Sequence, residues 1–176
     1  MLGGAILGDE ALLDEAYRDM LRHTGPAMSA FNAWVLLKGL ETLELRVDRQ
    51  TDTAAKLADL IADHTKVKRT LYPFRADHPQ ADVARKQMTK GGTVLAFDLD
   101  TRQAAFDFLN ALQIIDISNN LGDAKSMAVH PSTTTHRSMS EEDRLSIGLT
   151  EGYVRLSAGL ESYEDLARDV ARALDA

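Results

Sequence analysis

Apolar residues recur at helical spacing in the first third of the chain. Between residues 27 and 64, positions three or four apart are apolar, as at Leu36, Leu40 and Leu43, which is typical of a helix with one apolar face. At 1.5 Å per residue a single helix of this length would span ~55 Å, more than the core of one small domain needs. We therefore predict that it begins on one domain and ends on another, with room for a bend. A shorter helix is predicted over residues 9–22.

After residue 64 the pattern changes to short segments of alternating polarity. Strands are predicted over residues 67–72, 93–99, 113–118, 127–129 and 153–158. Helices are predicted over residues 82–88, 101–112, 140–149 and 162–174. Asp100, Ser140 and Ser162 are the predicted N-caps, because their short side chains can accept a hydrogen bond from the first helical turn. Since several strands have a polar face, we predict an α/β sandwich with a mostly antiparallel sheet and helices on one side.

Composition narrows the classes of function. The net charge is −7 and no basic block stands out, which disfavours nucleic acid as a partner because phosphate contacts need clustered Lys and Arg. The chain contains no cysteine, so disulfides, thiolate metal sites and cysteine nucleophiles are excluded, and a reducing cytoplasm is the expected location. No window reaches the ~18 apolar residues of a membrane span, so no membrane partner is expected.

Three polar segments are candidates for chemistry. Residues 119–123 are either an ordinary turn or a turn that presents an amide side chain at the end of a strand. Residues 130–136 hold four hydroxyl side chains between two histidines, a spacing that is a poor metal signature, and the hydroxyls can equally satisfy loop backbone. Arg155, inside a predicted strand, lies either on a solvated face or in a site where its guanidinium grips a carboxylate.

The same segments resemble a known family. Asn-Asn-Leu-Gly-Asp-Ala-Lys-Ser at 119–126, His-Pro-Ser-Thr-Thr-Thr-His at 130–136 and Val-Arg-Leu-Ser-Ala-Gly-Leu-Glu at 154–161 resemble the C-terminal signature of the Cys/Met-metabolism enzymes that use pyridoxal phosphate (PLP). Residues 28–43 resemble the inter-domain helix of these enzymes, so the resemblance covers essentially the whole chain. Many relatives have serine at the position of Asn120, and this difference favours the sulfhydrylase branch that acts on O-succinylhomoserine.

The resemblance implies roles for three residues. Arg155 would clamp the α-carboxylate of an amino-acid substrate, Asn120 would contact the same carboxylate or its surroundings, and Thr135 would line the pocket and help to hold Arg155. The implied reaction replaces the γ-substituent of O-succinylhomoserine with sulfide and gives homocysteine. Cystathionine γ-synthase, O-acetylhomoserine sulfhydrylase, methionine γ-lyase and a non-catalytic assembly module are the alternatives. A homo-oligomer is also implied.

In this family the Schiff-base lysine and the groups that hold the cofactor precede the segment that begins at Leu2. The resemblance therefore implies that residues 1–50 are a remnant of the large PLP domain with the inter-domain helix, and that residues 51–176 are the small C-terminal domain. We expect no catalytic, cofactor-binding or metal-binding residue within this chain, and we expect the chain alone to be inactive.

Overall fold

The computed structural model describes residues 3–176 and divides them between Glu44 and Leu45. The first unit is helical, with segments α1 (Glu10–Leu12), a π-helical stretch (Leu13–Tyr17), α2 (Arg18–Thr24) and α3 (Ala30–Leu40). Helix α4 (Leu43–Ala62) begins at the boundary and belongs mostly to the second unit. None of the helices of the described part is long and apolar enough to cross a membrane.

The predicted helix over residues 27–64 is two helices, because helical hydrogen bonding is interrupted at Glu41 and Thr42. Ser29 caps α3 by accepting a hydrogen bond from the Asn32 backbone N–H at 3.2 Å. Gly39 lies in the last turn of α3, and glycine costs a helix interior roughly 1 kcal/mol relative to alanine. The interruption therefore falls where the sequence supports a helix least.

The second unit is built on a five-stranded sheet in the order β1-β2-β5-β4-β3. Its strands are β1 (Arg69–Leu71), β2 (Val94–Asp98), β3 (Asp116–Ile117), β4 (Met127–Val129) and β5 (Tyr153–Ser157). Its later helices are α5 (Ala81–Gln87), α6 (Arg102–Ala111), a 3₁₀ turn (Pro131–Thr133), α7 (Glu141–Ser146) and α8 (Tyr163–Asp175). All strand pairs are antiparallel except β3 with β4, which confirms the predicted fold class.

Alternation along the central strands decides which face of the sheet is buried. Leu95 and Phe97 of β2, with Val154 and Leu156 of β5, are all at most 1% exposed and belong to one core cluster. The helices α4, α6 and α8 supply the other side of that cluster, and the Phe97 ring meets the Phe108 ring edge to face. The intervening residues of both strands face the other way.

Two predicted details of this unit are wrong, and a third is correct only in position. Ser162 is the N-cap residue of α8, but its hydroxyl donates to the Glu164 carboxylate at 2.8 Å and accepts no hydrogen bond from the first turn. The N-cap of α6 is Thr101, whose hydroxyl accepts a hydrogen bond from the Ala104 N–H at 3.2 Å. Asp100 instead adopts a positive φ of 75° in the turn before the helix, and its N–H binds the Asp98 side chain. The strand predicted over residues 113–118 is reduced to the two residues of β3.

The shortening of β3 has an identifiable cause in Asp169 of α8. The buried Asp169 carboxylate accepts hydrogen bonds from the backbone N–H groups of Gln113, Ile114 and Ile115, at 2.9, 2.9 and 3.1 Å. Those N–H groups are then used by a side chain rather than by a neighbouring strand. Burial alone would raise the pKa of Asp169, but these three donors and Arg172 outweigh it and lower the pKa.

We expect Asp169→Ala to lower the free energy of unfolding of the second unit by roughly 2–4 kcal/mol, because it orphans three backbone donors. Since the folded-state pKa is lowered, the contribution of Asp169 is complete above its unfolded pKa of about 3.9 and is lost as pH falls through the folded value. Native-state hydrogen exchange between pH 3 and pH 7 measures both effects.

Asp165→Ala is the matched control, since this exposed carboxylate on the same helix pairs only with Arg168 on the surface. Equal stability losses in the two variants at pH 7 would contradict the role assigned to Asp169.

Candidate carboxylate-binding site

Arg155 lies in the middle of β5, on the sheet face opposite the helices. Its neighbours across the strands are Ala96 and Val129. Nη2 of Arg155 donates hydrogen bonds to the backbone carbonyl oxygens of Asn119 and Asn120, at 2.8 and 3.2 Å. Partial burial lowers the pKa of the guanidinium, because desolvation disfavours its charged form. The guanidinium is therefore a half-buried cation anchored through one nitrogen.

Arg155 also lines a concavity of about 210 Å³. The other residues that line it are mostly apolar: Ala96, Pro131, His136, Ile147, Gly148, Leu149 and Tyr153. Among the described residues, no carboxylate lies within ion-pairing distance of Arg155. A cation with neutral backbone acceptors and an apolar wall has the chemistry to accept an anion.

The resemblance implies site roles for Arg155, Asn120 and Thr135, and these residues make different contacts in the structure. Asn120 contributes its backbone carbonyl to Arg155, while its residue as a whole is exposed. Thr135 does not hydrogen-bond to Arg155, whose partners among the described residues are Asn119 and Asn120. The Thr135 hydroxyl pairs with Nδ1 of His136 at 2.8 Å, and His136 lines the concavity. Asn119, whose carbonyl is the nearer acceptor, was not singled out from the sequence, because a backbone contact leaves no mark on residue type.

The first histidine of the 130–136 segment is structural. His130 is 2% exposed, and its two ring nitrogens pair with the Thr133 hydroxyl and the Glu151 carbonyl at 2.9 and 2.8 Å. Its ring also meets Phe106 edge to face. Over residues 3–176, no three His, Asp or Glu side chains gather in a way that could hold a metal ion.

The turn after β5, at residues 158–161, forms hydrogen bonds with the end of the loop that precedes β4. Glu161 accepts hydrogen bonds from the N–H and the hydroxyl of Ser126, at 2.7 and 2.8 Å. The Ser126 hydroxyl in turn accepts from the Gly159 N–H at 2.8 Å. A side chain at Gly159 would meet the Glu161 carboxylate and the backbone of Lys125 and Ser126, so only glycine fits.

Known proteins share both the sequence and the fold of this chain. A family model described as Cys/Met metabolism PLP-dependent enzyme matches residues 1–175. The chain belongs to this family. An O-succinylhomoserine sulfhydrylase of Mycobacterium tuberculosis is 53% identical over 99% of this chain and 44% of its own length. An L-methionine gamma-lyase of Pseudomonas putida is 41% identical over 98% of this chain and 44% of its own length.

Solved structures agree with this membership of the Cys/Met-metabolism family. A candidate O-acetylhomoserine (thiol)-lyase of Campylobacter jejuni, which carries a pyridoxyl-lysine, superposes with a TM-score of 0.89 at 31% identity. That match covers 97% of this chain and 41% of the other. A cystathionine gamma lyase of Micromonospora echinospora gives 0.88 at 34% identity, over 95% and 44%. The chain therefore spans less than half the length of the relatives that it matches.

The cofactor of this family is PLP, and the Arg155 concavity does not fit it. The cofactor's aldehyde needs a lysine amine, and in this family's chemistry a carboxylate faces its ring nitrogen. The residues that line the concavity include neither a lysine nor a carboxylate. The one charged group there, Arg155, suits an anionic group of a substrate.

We expect Gly159→Ala to destabilise the loop at residues 118–126, because its Cβ would lie 2.5 Å from the Lys125 carbonyl carbon. The expected loss is roughly 1–3 kcal/mol, seen as faster amide exchange at Gly122 and Ser126. Gly39→Ala is the control, because no described atom beyond its chain neighbours and the backbone of its own helix lies within 4 Å of a Cβ built there. Unchanged exchange in Gly159→Ala would show that the loop does not depend on this turn.

Proposed function

We propose that this chain supplies the substrate-carboxylate site of a PLP-dependent O-succinylhomoserine sulfhydrylase, with Arg155 as the clamp. The observation that carries the proposal is the half-buried guanidinium of Arg155, which binds two neutral carbonyls and has no carboxylate partner among the described residues. The identity of 53% with a relative of that name supports the choice of enzyme.

The geometry of Arg155 accounts for how an amino acid would be oriented. Since Nη2 is committed to the carbonyls of Asn119 and Asn120, the guanidinium cannot rotate freely, while Nε and Nη1 keep N–H groups for a ligand. A carboxylate can accept charge-assisted hydrogen bonds from these N–H groups. Fixing the carboxylate in this way restricts the substrate to one orientation before chemistry begins.

The chemistry of γ-replacement is supplied by PLP, which the family binds through a lysine, and no step of it is assigned to residues of this chain. The part assigned here is recognition: Arg155 binds the α-carboxylate, and Asn120 and Thr135 shape its surroundings. The buried side chain of Leu149 forms part of the wall beside Arg155, while Ile147 lies at its exposed rim.

Other enzymes of the family remain the alternative candidates. A methionine gamma-lyase and an O-acetyl-L-homoserine sulfhydrylase are 41% and 38% identical to this chain, and cystathionine γ-synthase shares the same fold. The nucleophile separates them. A sulfhydrylase uses sulfide, a cystathionine synthase uses cysteine, and a γ-lyase breaks methionine down without a second substrate. A non-catalytic assembly module would show none of these activities in any context.

The same proposal includes a homo-oligomer in the cytoplasm. The homo-oligomer is supported by the apolar surface of α3, where four large side chains are each more than half exposed: Phe31, Trp34, Leu37 and Leu40. Exposed apolar patches of this kind mark contacts with other protein surfaces.

We expect the chain alone to form no specific covalent adduct with PLP. None of its lysines lines the Arg155 concavity, and Lys90 is held by Asp52 and Asp48, both at 3.0 Å, which raise its pKa and keep it protonated. Borohydride reduction after incubation with PLP, followed by peptide mapping, measures the adducts, with N-acetyl-lysine as the positive control. A single stoichiometric adduct on Lys38, Lys90 or Lys125 would contradict this expectation.

We expect Arg155→Ala to lower kcat/KM by ~30- to 4,000-fold in a complete enzyme that contains this segment. Removing one partner of a partly dry charged pair costs roughly 2–5 kcal/mol. Arg155→Lys should recover little, because an ammonium lacks the planar fork, and Asn120→Ala should cost less, about 1–2 kcal/mol. The enzyme can be assembled by placing this segment in the Mycobacterium tuberculosis relative in place of the part that it matches.

Arg168→Ala is the control for this experiment, because Arg168 is a surface arginine of α8 that pairs only with Asp165. Each variant must keep the visible absorption of bound PLP. If Arg155→Ala kept a normal kcat/KM with its cofactor bound, Arg155 would be a solvated strand residue and the proposal would fail.

A further inference from the structure

The orientation of Arg155 depends on a loop that has little support of its own. Residues 118–126 connect β3 to β4 without helix or strand, and residues 119–125 are exposed. Gly122 takes a positive φ of 78° within this loop. The carbonyls of Asn119 and Asn120 can hold Arg155 in one position only if the loop itself is held.

One anchor of the loop comes from the same strand and the same sheet face as Arg155. Ser157 follows Arg155 by two residues on β5, so both side chains leave the strand on the same side. The Ser157 hydroxyl accepts a hydrogen bond from the Gly122 N–H at 3.0 Å. Ser157 is 1% exposed, so its position is fixed by the surrounding sheet.

Two neighbouring side chains of β5 therefore hold a short stretch of one loop from the same direction. Arg155 binds the carbonyls at residues 119 and 120, and Ser157 binds the N–H at residue 122. The other anchors, from Gln50 to the Asp123 carbonyl at 2.6 Å and from Glu161 to Ser126, act further along the loop. Among the described residues, Ser157 is the one group outside the loop that binds it between the Arg155 acceptors and Asp123. Within the loop, the Asn120 N–H binds the Ser118 hydroxyl at 3.3 Å.

We propose that Ser157 is a positioning residue for the Arg155 carboxylate site, acting by holding Gly122 so that the Asn119 and Asn120 carbonyls keep the guanidinium in its binding orientation. The proposal rests on the proposed function for what Arg155 binds, but the control of Arg155 by Ser157 can be measured without it. Ser157 touches neither substrate nor cofactor in this account.

The test uses Ser157→Ala in the whole 176-residue chain, since this variant removes one hydroxyl and changes little volume. Thr53→Val is the matched control: it removes a buried hydroxyl of α4 that binds only the Arg49 carbonyl. Ser157→Thr, which restores a hydroxyl, is the rescue variant. Two signals are followed by NMR in each protein, namely amide exchange at residues 119–123 and the rotation of the Arg155 guanidinium about its Cζ–Nη bonds.

We expect Ser157→Ala to speed amide exchange at Gly122 by about fivefold or more, as loss of one hydrogen bond predicts. It should also release the Arg155 guanidinium to rotate faster, while exchange in the buried parts of α6 and α8 stays unchanged. Thr53→Val should leave both signals as they are, and Ser157→Thr should restore them. Unchanged Arg155 rotation in Ser157→Ala would overturn the proposal, as would loss of protection throughout the sheet.

A titration with O-succinyl-L-homoserine separates this proposal from the proposed function. If Arg155 signals of the unmodified chain shift saturably, the carboxylate site is supported, and Ser157→Ala should weaken the apparent affinity by about fivefold. Unchanged affinity in Ser157→Ala would count against the proposal. If the unmodified chain shows no shift, the carboxylate site in this chain fails, while the rotation of Arg155 still decides whether Ser157 positions it.

Discussion

The alternation of side chains along β5 is the constraint on which the rest of the second unit depends. Val154 and Leu156 are fully buried against the helices, and this fixes the faces of the residues between them. Arg155 must then lie on the opposite face, together with Ser157. A shift of β5 by one residue would place a guanidinium in the core and two apolar side chains in the concavity. The buried core thus selects the register that presents the charge.

The surroundings of Arg155 differ from those of two other arginines of the second unit. Arg102 and Arg144 both pair with Glu151, and the hydrogen bond from Arg102 is the main cause of the lowered pKa of that carboxylate. Their charges are compensated within the protein. Arg155 instead binds neutral carbonyls, which orient it without neutralising it. An arginine in such a setting keeps its charge available for a ligand, and a complementary carboxylate would offset the cost of its burial.

The fold could be predicted from sequence wherever local pattern and tertiary structure agree. The alternation in β2 and β5 and the apolar stripe of α8 placed these elements to within a residue or two, since each buries one face. The shortening of β3 could not be foreseen, because Asp169, far away in the sequence, takes the backbone donors of that segment. The cap of α6 was misplaced by one residue because Asp100 and Thr101 are both good caps by type.

The candidate site was predictable only in its side-chain part. Arg155 was found because its residue type within a strand, and the motif around it, indicate a carboxylate site. Asn120 was named as a contact of the carboxylate or its surroundings, but its backbone bond to Arg155 was not foreseen. Asn119 and Ser157 were not found, because Asn119 acts through its backbone carbonyl and the Ser157 hydroxyl binds the backbone N–H of Gly122. The two-residue period of a strand puts Ser157 on the same face of β5 as Arg155. It does not show that the loop at residues 118–126 binds both side chains.

A crystal structure of the chain with a bound amino-acid ligand, such as L-norleucine, tests the central claim most directly. The account predicts that the ligand carboxylate accepts hydrogen bonds from the Nε or Nη1 N–H groups of Arg155, while Nη2 stays on the carbonyls of Asn119 and Asn120. A carboxylate bound elsewhere in the second unit, with Arg155 turned toward solvent, would contradict it.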